Sequence, residues 1–217
     1  MNEIIDNEFG AVKNFLSKYK NALMIVVLLI ILSIGLFALN FYNKKVMNEE
    51  AAVIYNEWLN TTSLENKEQE KIDSLYSDLT DNYASTGYAM MAMLSKGADL
   101  ASKGDFDKSI AVFTNLQEIS SGFGGNDFFN KISRISLSRI YIEIGKYDDA
   151  LSQLSVYSES SANAYIHELI GDIFAAKQEV EKSIEQYMLA DEKYDDQQSK
   201  SIIACLLYTS PSPRDRG

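Results

Sequence analysis

Few residues in this chain have the types and spacing that chemistry needs. His167 is the only histidine and sits in Tyr165-Ile166-His167-Glu168-Leu169. One histidine cannot build a histidine-based metal site, and no nucleophile–base–acid order surrounds it. Its setting suits a packing histidine with satisfied ring nitrogens. The acidic pairs Asp148-Asp149 and Asp195-Asp196 are the candidates for acid–base work. They fall where helices begin or end, and there solvated carboxylates answer the helix dipole without catalysis. Ser121-Gly122-Phe123-Gly124-Gly125-Asn126-Asp127 has the glycines of a phosphate cradle, but no strand precedes it and no Gly-Lys-Ser/Thr follows. It reads instead as a flexible connection, with Asp127 capping the next helix and Phe123 a contact point at its tip. Cys205 is the only cysteine, so no disulfide framework exists, and a cysteine-free body suits an oxidising compartment. The sequence implies no catalytic residue, no metal and no cofactor, hence no enzyme.

Whatever the chain does must then be done by its helices as surfaces. Asn21 to Asn43 holds 23 residues without one charged side chain. At about 1.5 Å per residue such a helix crosses the roughly 30 Å hydrocarbon core of a bilayer. It is too long for the apolar region of a signal peptide, and no cleavage-like pair of small residues follows. Asn40, Phe41 and Tyr42 with Lys44-Lys45 beyond them form an interfacial edge. A buried core helix is the competing assignment, but such helices seldom run this far uncharged. Lys13, Lys18 and Lys20 precede the span against Lys44 and Lys45 after it, which favours a cytoplasmic N-terminus. Residues 1–20, with Phe9, Val12, Phe15, Leu16 and Tyr19 at spacings of three and four, read as a short interfacial helix.

Beyond the span, Val46–Ala204 carries 13 Lys/Arg against 27 Asp/Glu, a net of −14. That charge repels phosphate backbones and anionic headgroups, which argues against nucleic-acid binding. It leaves two readings, solubility or an acidic docking face for basic or unfolded segments. Residues 44–62 continue as a stalk with an apolar stripe of Ala51, Ile54, Tyr55, Trp58 and Leu59. Asn60-Thr61-Thr62 is expected to break it, and Thr62 with Glu65 to open the next helix as a capping box. That helix carries Ile72, Leu75, Tyr76 and Leu79 on one face.

Residues 63–204 then hold a repeat. Three stretches align: Gly97…Leu100…Gly104-Asp105-Phe106…Ser109…Phe113, Ser138…Tyr141…Gly145-Lys146-Tyr147…Ala150…Leu154…Tyr157, and Gly171…Phe174…Gln178-Glu179-Val180…Ser183…Tyr187. Each gives a small residue, a turn, and a second helix of alternating small and large apolar positions. The turn centres lie 41 and then 33 residues apart, a period near that of the tetratricopeptide helix-turn-helix repeat. Small residues allow the paired helices to cross closely, and glycine at the turn accepts the left-handed conformation. Gln178 in place of that glycine makes the third repeat the weakest match. The fold class is therefore all-α, one N-terminal transmembrane helix followed by a tetratricopeptide-like domain of helical hairpins. Stacked hairpins present the first helices of each repeat, so Tyr88, Met91, Arg134, Tyr141, Tyr165 and Phe174 form the expected partner-binding groove. Residues 205–217 bring in Cys205, Pro211 and Pro213. They are expected to break the helical pattern and resemble a translated adapter, with a native disordered tail as the competing reading.

The run Ala11-Val12-Lys13-Asn14-Phe15-Leu16, one span, the stalk Ala51-Ala52-Val53-Ile54-Tyr55 and the three turn centres together resemble the ancillary SecYEG translocon subunit family of Gram-negative bacteria. The resemblance implies an inner-membrane, single-pass adaptor whose domain lies in the periplasm. It also implies partnership with the SecYEG translocon and a membrane-anchored prolyl-isomerase-like chaperone, and transfer of emerging chains to periplasmic chaperones. A scaffold of another envelope machine, in cell division or outer-membrane assembly, is the alternative.

Overall fold

The computed structural model describes residues 18–64, 68–122, 124–157 and 161–209. The expectations for Phe9, Val12, Phe15 and Leu16, for Glu65 and for Phe123 lie outside them. Among the described residues there are nine helices and no strand: α1 Lys20–Ser63, α2 Gln69–Asn82, α3 Gly87–Ser102, α4 Phe106–Ile119, α5 Asp127–Glu143, α6 Tyr147–Leu154, α7 Ala164–Ala176, α8 Val180–Lys193 and α9 Gln197–Thr209. The chain divides into two units, one ending at Val53 and one starting at Ile54.

In the first unit, α1 contains an 18-residue window of mean hydropathy 3.1, none of it buried. Leu28, Ile31 and Phe37 are more than half exposed, which water would penalise and lipid would not. The Ser33 hydroxyl donates back to the Leu29 carbonyl at 2.8 Å, so its polar group is satisfied within the helix. α1 is thus a candidate membrane span.

The second unit opens on the end of α1. The Tyr55 ring lies 5.7 Å from that of Tyr88 on α3, and Trp58 lies 6.4 Å from Tyr76 on α2. Leu59, expected in this stripe, is 43% exposed. The helix does not break at Asn60-Thr61-Thr62. Thr61 and Thr62 turn their hydroxyls back onto the Glu57 and Leu59 carbonyls, which lets both stay helical. α2 begins after Glu68, not at Thr62, and without a side-chain cap.

The three hairpins α3/α4, α5/α6 and α7/α8 share one construction. Each first helix has a side-chain cap, from Thr86 to the Ala89 N–H, Asn126 to Phe128 and Phe129, and Asn163 to Ile166. Asn126, not Asp127, thus caps α5: only the residue before the first helical turn reaches those amides. None of the second helices has such a cap; each leaves a tight turn instead. There Asp105, Lys146 and Glu179 donate to the carbonyls of Leu100, Tyr141 and Phe174, five residues back. Gly104, Gly145 and Gln178 occupy the left-handed region at φ 76, 74 and 63. Gln178 therefore makes the same turn as its glycine counterparts, at a strain cost of about 1 kcal/mol. α6 stops at Leu154, short of the expected Tyr157, whose N–H bonds back to Leu154.

At the crossing of each hairpin, Gly97, Ser138 and Gly171 on the first helix are all buried. Ser109, Ala150 and Ser183 on the second helix are fully buried. The Ser109 hydroxyl donates to the Gly97 carbonyl at 2.7 Å. A methyl at Gly97 would lie 2.8 Å from Phe113, and one at Gly171 2.5 Å from Tyr187. Where the second helix carries Leu154 instead of a ring, the first tolerates Ser138. Apolar clusters then bridge the elements in sequence. Met93, Phe113, Leu116 and Leu137 join α3, α4 and α5; Ala150, Leu154, Leu169 and Ile173 join α6 and α7; Tyr187, Ala190 and Ile203 join α8 and α9. Each hairpin buries its face only by stacking, as repeat proteins do. Contrary to expectation, α9 continues through Cys205 to Thr209, and Leu206 and Leu207 pack on its cluster. Ile202, Ile203, Leu206 and Leu207 keep a helical three–four spacing across that boundary.

Candidate protein-binding cleft

The turn end of the first hairpin and the C-terminal half of α5 border an open cleft of about 560 Å³. Its lining combines the small Ala98, Ala101 and Gly104 with the large apolar Phe106, Phe113 and Ile140. Arg139 and Glu143, four residues apart and both exposed, edge it from α5. A helix puts such a pair on one face. The cleft thus brings apolar side chains together with two opposite charges at its edge.

None of the six residues expected to form a groove lines this cleft. All six lie on first helices, yet they face different neighbours. Tyr88 stacks on Tyr55. Met91 and Tyr141 pack against the first cluster, and Tyr141 also against the second. Arg134 donates its Nε to the Asn130 side chain at 3.0 Å, and with the Gln117 amide assigned in the orientation that satisfies both its ends, the terminal nitrogens of Arg134 donate to its oxygen at 2.9 and 3.0 Å. Gln117 in turn donates to Gln153, so this arginine ties α4, α5 and α6 together. Phe174 lies under the Lys182 ammonium, 5.3 Å from its ring. Tyr165 is the exposed one, at 36%. It stands nine residues before Phe174, which at about 100° per residue puts the two on opposite sides of α7. The signal for the cleft was faint: Ala98 and Ala101, small and three apart beside the turn, and Arg139 four before Glu143.

The third hairpin buries polar groups instead. His167 is 2% exposed, with Nδ1 2.9 Å from the Gln186 side-chain oxygen. The Tyr187 hydroxyl donates to Asp172 at 2.8 Å, and that of Tyr194 to Glu168. Burial pushes the Asp172 carboxyl above its ordinary range, and the Glu168 charge adds to this against the opposing Tyr187 hydrogen bond. Burial likewise raises the Tyr187 and Tyr194 phenols, reinforced by their carboxylate acceptors. Each carboxylate is thus committed to a phenol donor. Among the described residues, no group of three or more His, Cys, Asp or Glu is placed to hold a metal.

Comparison with known proteins follows this geometry. The family model described as a tetratricopeptide repeat-like domain matches residues 13–207. The ancillary SecYEG translocon subunit of Aggregatibacter actinomycetemcomitans is 24% identical over 189 residues, covering 86% of this chain and 88% of that protein. No solved structure gives a significant match.

Proposed function

The chain belongs to the tetratricopeptide repeat-like domain family, and from that premise we propose that it is a membrane-anchored, non-catalytic adaptor that binds protein chains beside the Sec translocon. α1 would hold the repeat domain at the membrane, with the N-terminus cytoplasmic and the domain periplasmic. Tethering raises the domain's effective concentration for chains leaving a channel without any new contact. The partners proposed are the SecYEG translocon and a membrane-anchored prolyl-isomerase-like chaperone, with emerging chains passed on to periplasmic chaperones. The observation that carries the reading is the cleft between successive hairpins, where Phe106, Phe113 and Ile140 lie beside the charged pair Arg139 and Glu143. Of the six first-helix residues, Tyr165 is proposed as an additional contact because its ring is exposed.

A photoreactive residue at Ala98, in the full chain in native membranes, tests this. Capture of translocon subunits or emerging chains from Ala98, and not from Glu181 on α8, is the expected result. Capture of division or outer-membrane assembly components instead would move the adaptor to another envelope machine. A reporter active only outside the cytoplasm, fused after Ala204, should be active; an inactive one overturns the periplasmic placement.

A further inference from the structure

Arg134 and Arg139 are the only arginines among the described residues. Arg134 is held by the Asn130 side chain, whereas Arg139 on α5 is exposed. Among the described residues no hydrogen bond or ion pair engages the side chain of Arg139, nor that of Glu143 four residues on. Their order accounts for the open pair. With the base on the N-terminal side of the acid, a four-residue pair runs against the helix dipole and closes weakly. Glu143 is also the last residue of α5, whose last turn holds no base. A carboxylate there faces the negative end of the helix. Both groups therefore gain from an outside partner of opposite charge. They line the cleft with Ile140 of α5 and with Ala98, Ala101 and Phe106 of the first hairpin.

We propose, resting on the assignment of this cleft as a protein-binding site, that it selects an extended segment in which one aliphatic residue stands between an acidic and a basic residue. Four residues of helix set Arg139 and Glu143 about 6 Å apart along the axis. In an extended chain, residues i and i+2 lie on one side about 6.6 Å apart. The acid pairs with Arg139, whose planar fork fits a carboxylate, and the base pairs with Glu143. Alternation turns the aliphatic residue the other way, toward Ala98, Ala101 and Phe106. A segment with two acids or two bases leaves one like-charge contact, so both signs are required.

Saturation-transfer NMR on the full chain in deuterated detergent tests this, following the leucine methyl signal of short peptides with blocked termini and glycine-serine flanks. Their centres are Glu-Leu-Lys, Lys-Leu-Lys, Glu-Leu-Glu and Gln-Leu-Gln, and empty micelles give the blank. The Glu-Leu-Lys peptide should half-saturate at a concentration on the order of millimolar, as suits so small a ligand. It should bind about threefold more tightly than each of the others, as two exposed ion pairs allow. Arg139→Glu should pass the preference to Lys-Leu-Lys by a similar factor. Should that variant misfold by circular dichroism, Glu143→Lys takes its place and should favour Glu-Leu-Glu. Equal half-saturation for all four peptides, or a preference that the folded variant leaves unmoved, overturns the charge-pair proposal and leaves the cleft a protein-binding site. No saturation by any peptide up to about 20 mM overturns both.

Discussion

The first and third hairpins cross in the same way and solve the crossing differently. In both, a glycine on the first helix meets an aromatic ring on the second, Gly97 with Phe113 and Gly171 with Tyr187. The residue after the glycine is Ala98 in one and Asp172 in the other. Phe113 packs in a hydrophobic cluster, whereas Tyr187 keeps its hydroxyl on Asp172. The first ring is held by shape alone. The third is held by shape and by one hydrogen bond to a half-buried carboxylate, so its stability should depend on pH and on an exact partner. The second crossing, with Ser138 and Leu154, shows what happens without a ring: the glycine requirement lapses.

Overpacking should separate these cases most strongly. Gly171→Leu is expected to destabilise the repeat domain by about 3 kcal/mol or more, because Tyr187 cannot yield without leaving Asp172. Gly97→Leu should cost less, since Phe113 has no polar tether. Chemical denaturation of the two variants checks the order, and equal losses would mean that the tether is irrelevant.

Removing the tether comes next. Tyr187→Phe leaves Asp172 without its phenol donor and should cost about 1–3 kcal/mol. The mirror change, Phe113→Tyr, buries a hydroxyl where Ala98 offers no acceptor, and its cost should be of similar size. Adding Ala98→Asp should recover part of that loss; a purely additive double variant would deny that the two crossings are interchangeable.

The carboxylate predicts a pH signature. The folded-state pKa of Asp172 lies above its ordinary 3.8, so the folded chain binds this proton more tightly than the unfolded chain. The group's contribution to stability therefore falls as pH rises from about 3.8 through the raised value, then levels off. Asp172→Asn keeps an acceptor for Tyr187 without the charge, and its advantage in Tm over the parent should grow across that window. An advantage independent of pH would remove burial of this charge as the cause.

The smallest effect belongs to the turns. Gln178→Gly relieves the left-handed strain but adds freedom to the unfolded chain, so a gain of no more than about 1 kcal/mol is expected. Gly145→Ala, at the equivalent turn, should lose a similar amount.

These contrasts divide what could be read along the chain from what could not. The sequence alone determined the apolar span, the register of three hairpins, the small residues at their crossings and the glycine turns at Gly104 and Gly145. Those features depend on periodicity and backbone preference, which act between near neighbours. Gln178 defied local preference because the carbonyls of Phe174 and Ala175 and the packing of α7 on α8 hold it in the left-handed turn. The stop in α1 moved past Thr62 because hydroxyls that usually end helices bonded back into this one. The cleft at Arg139 and the scatter of Tyr88, Arg134, Tyr165 and Phe174 over different faces were decided only when helices far apart in sequence stacked. Which face of a helix meets its neighbour depends on interhelical packing, and single-sequence spacing gives only the face's width, not what covers it.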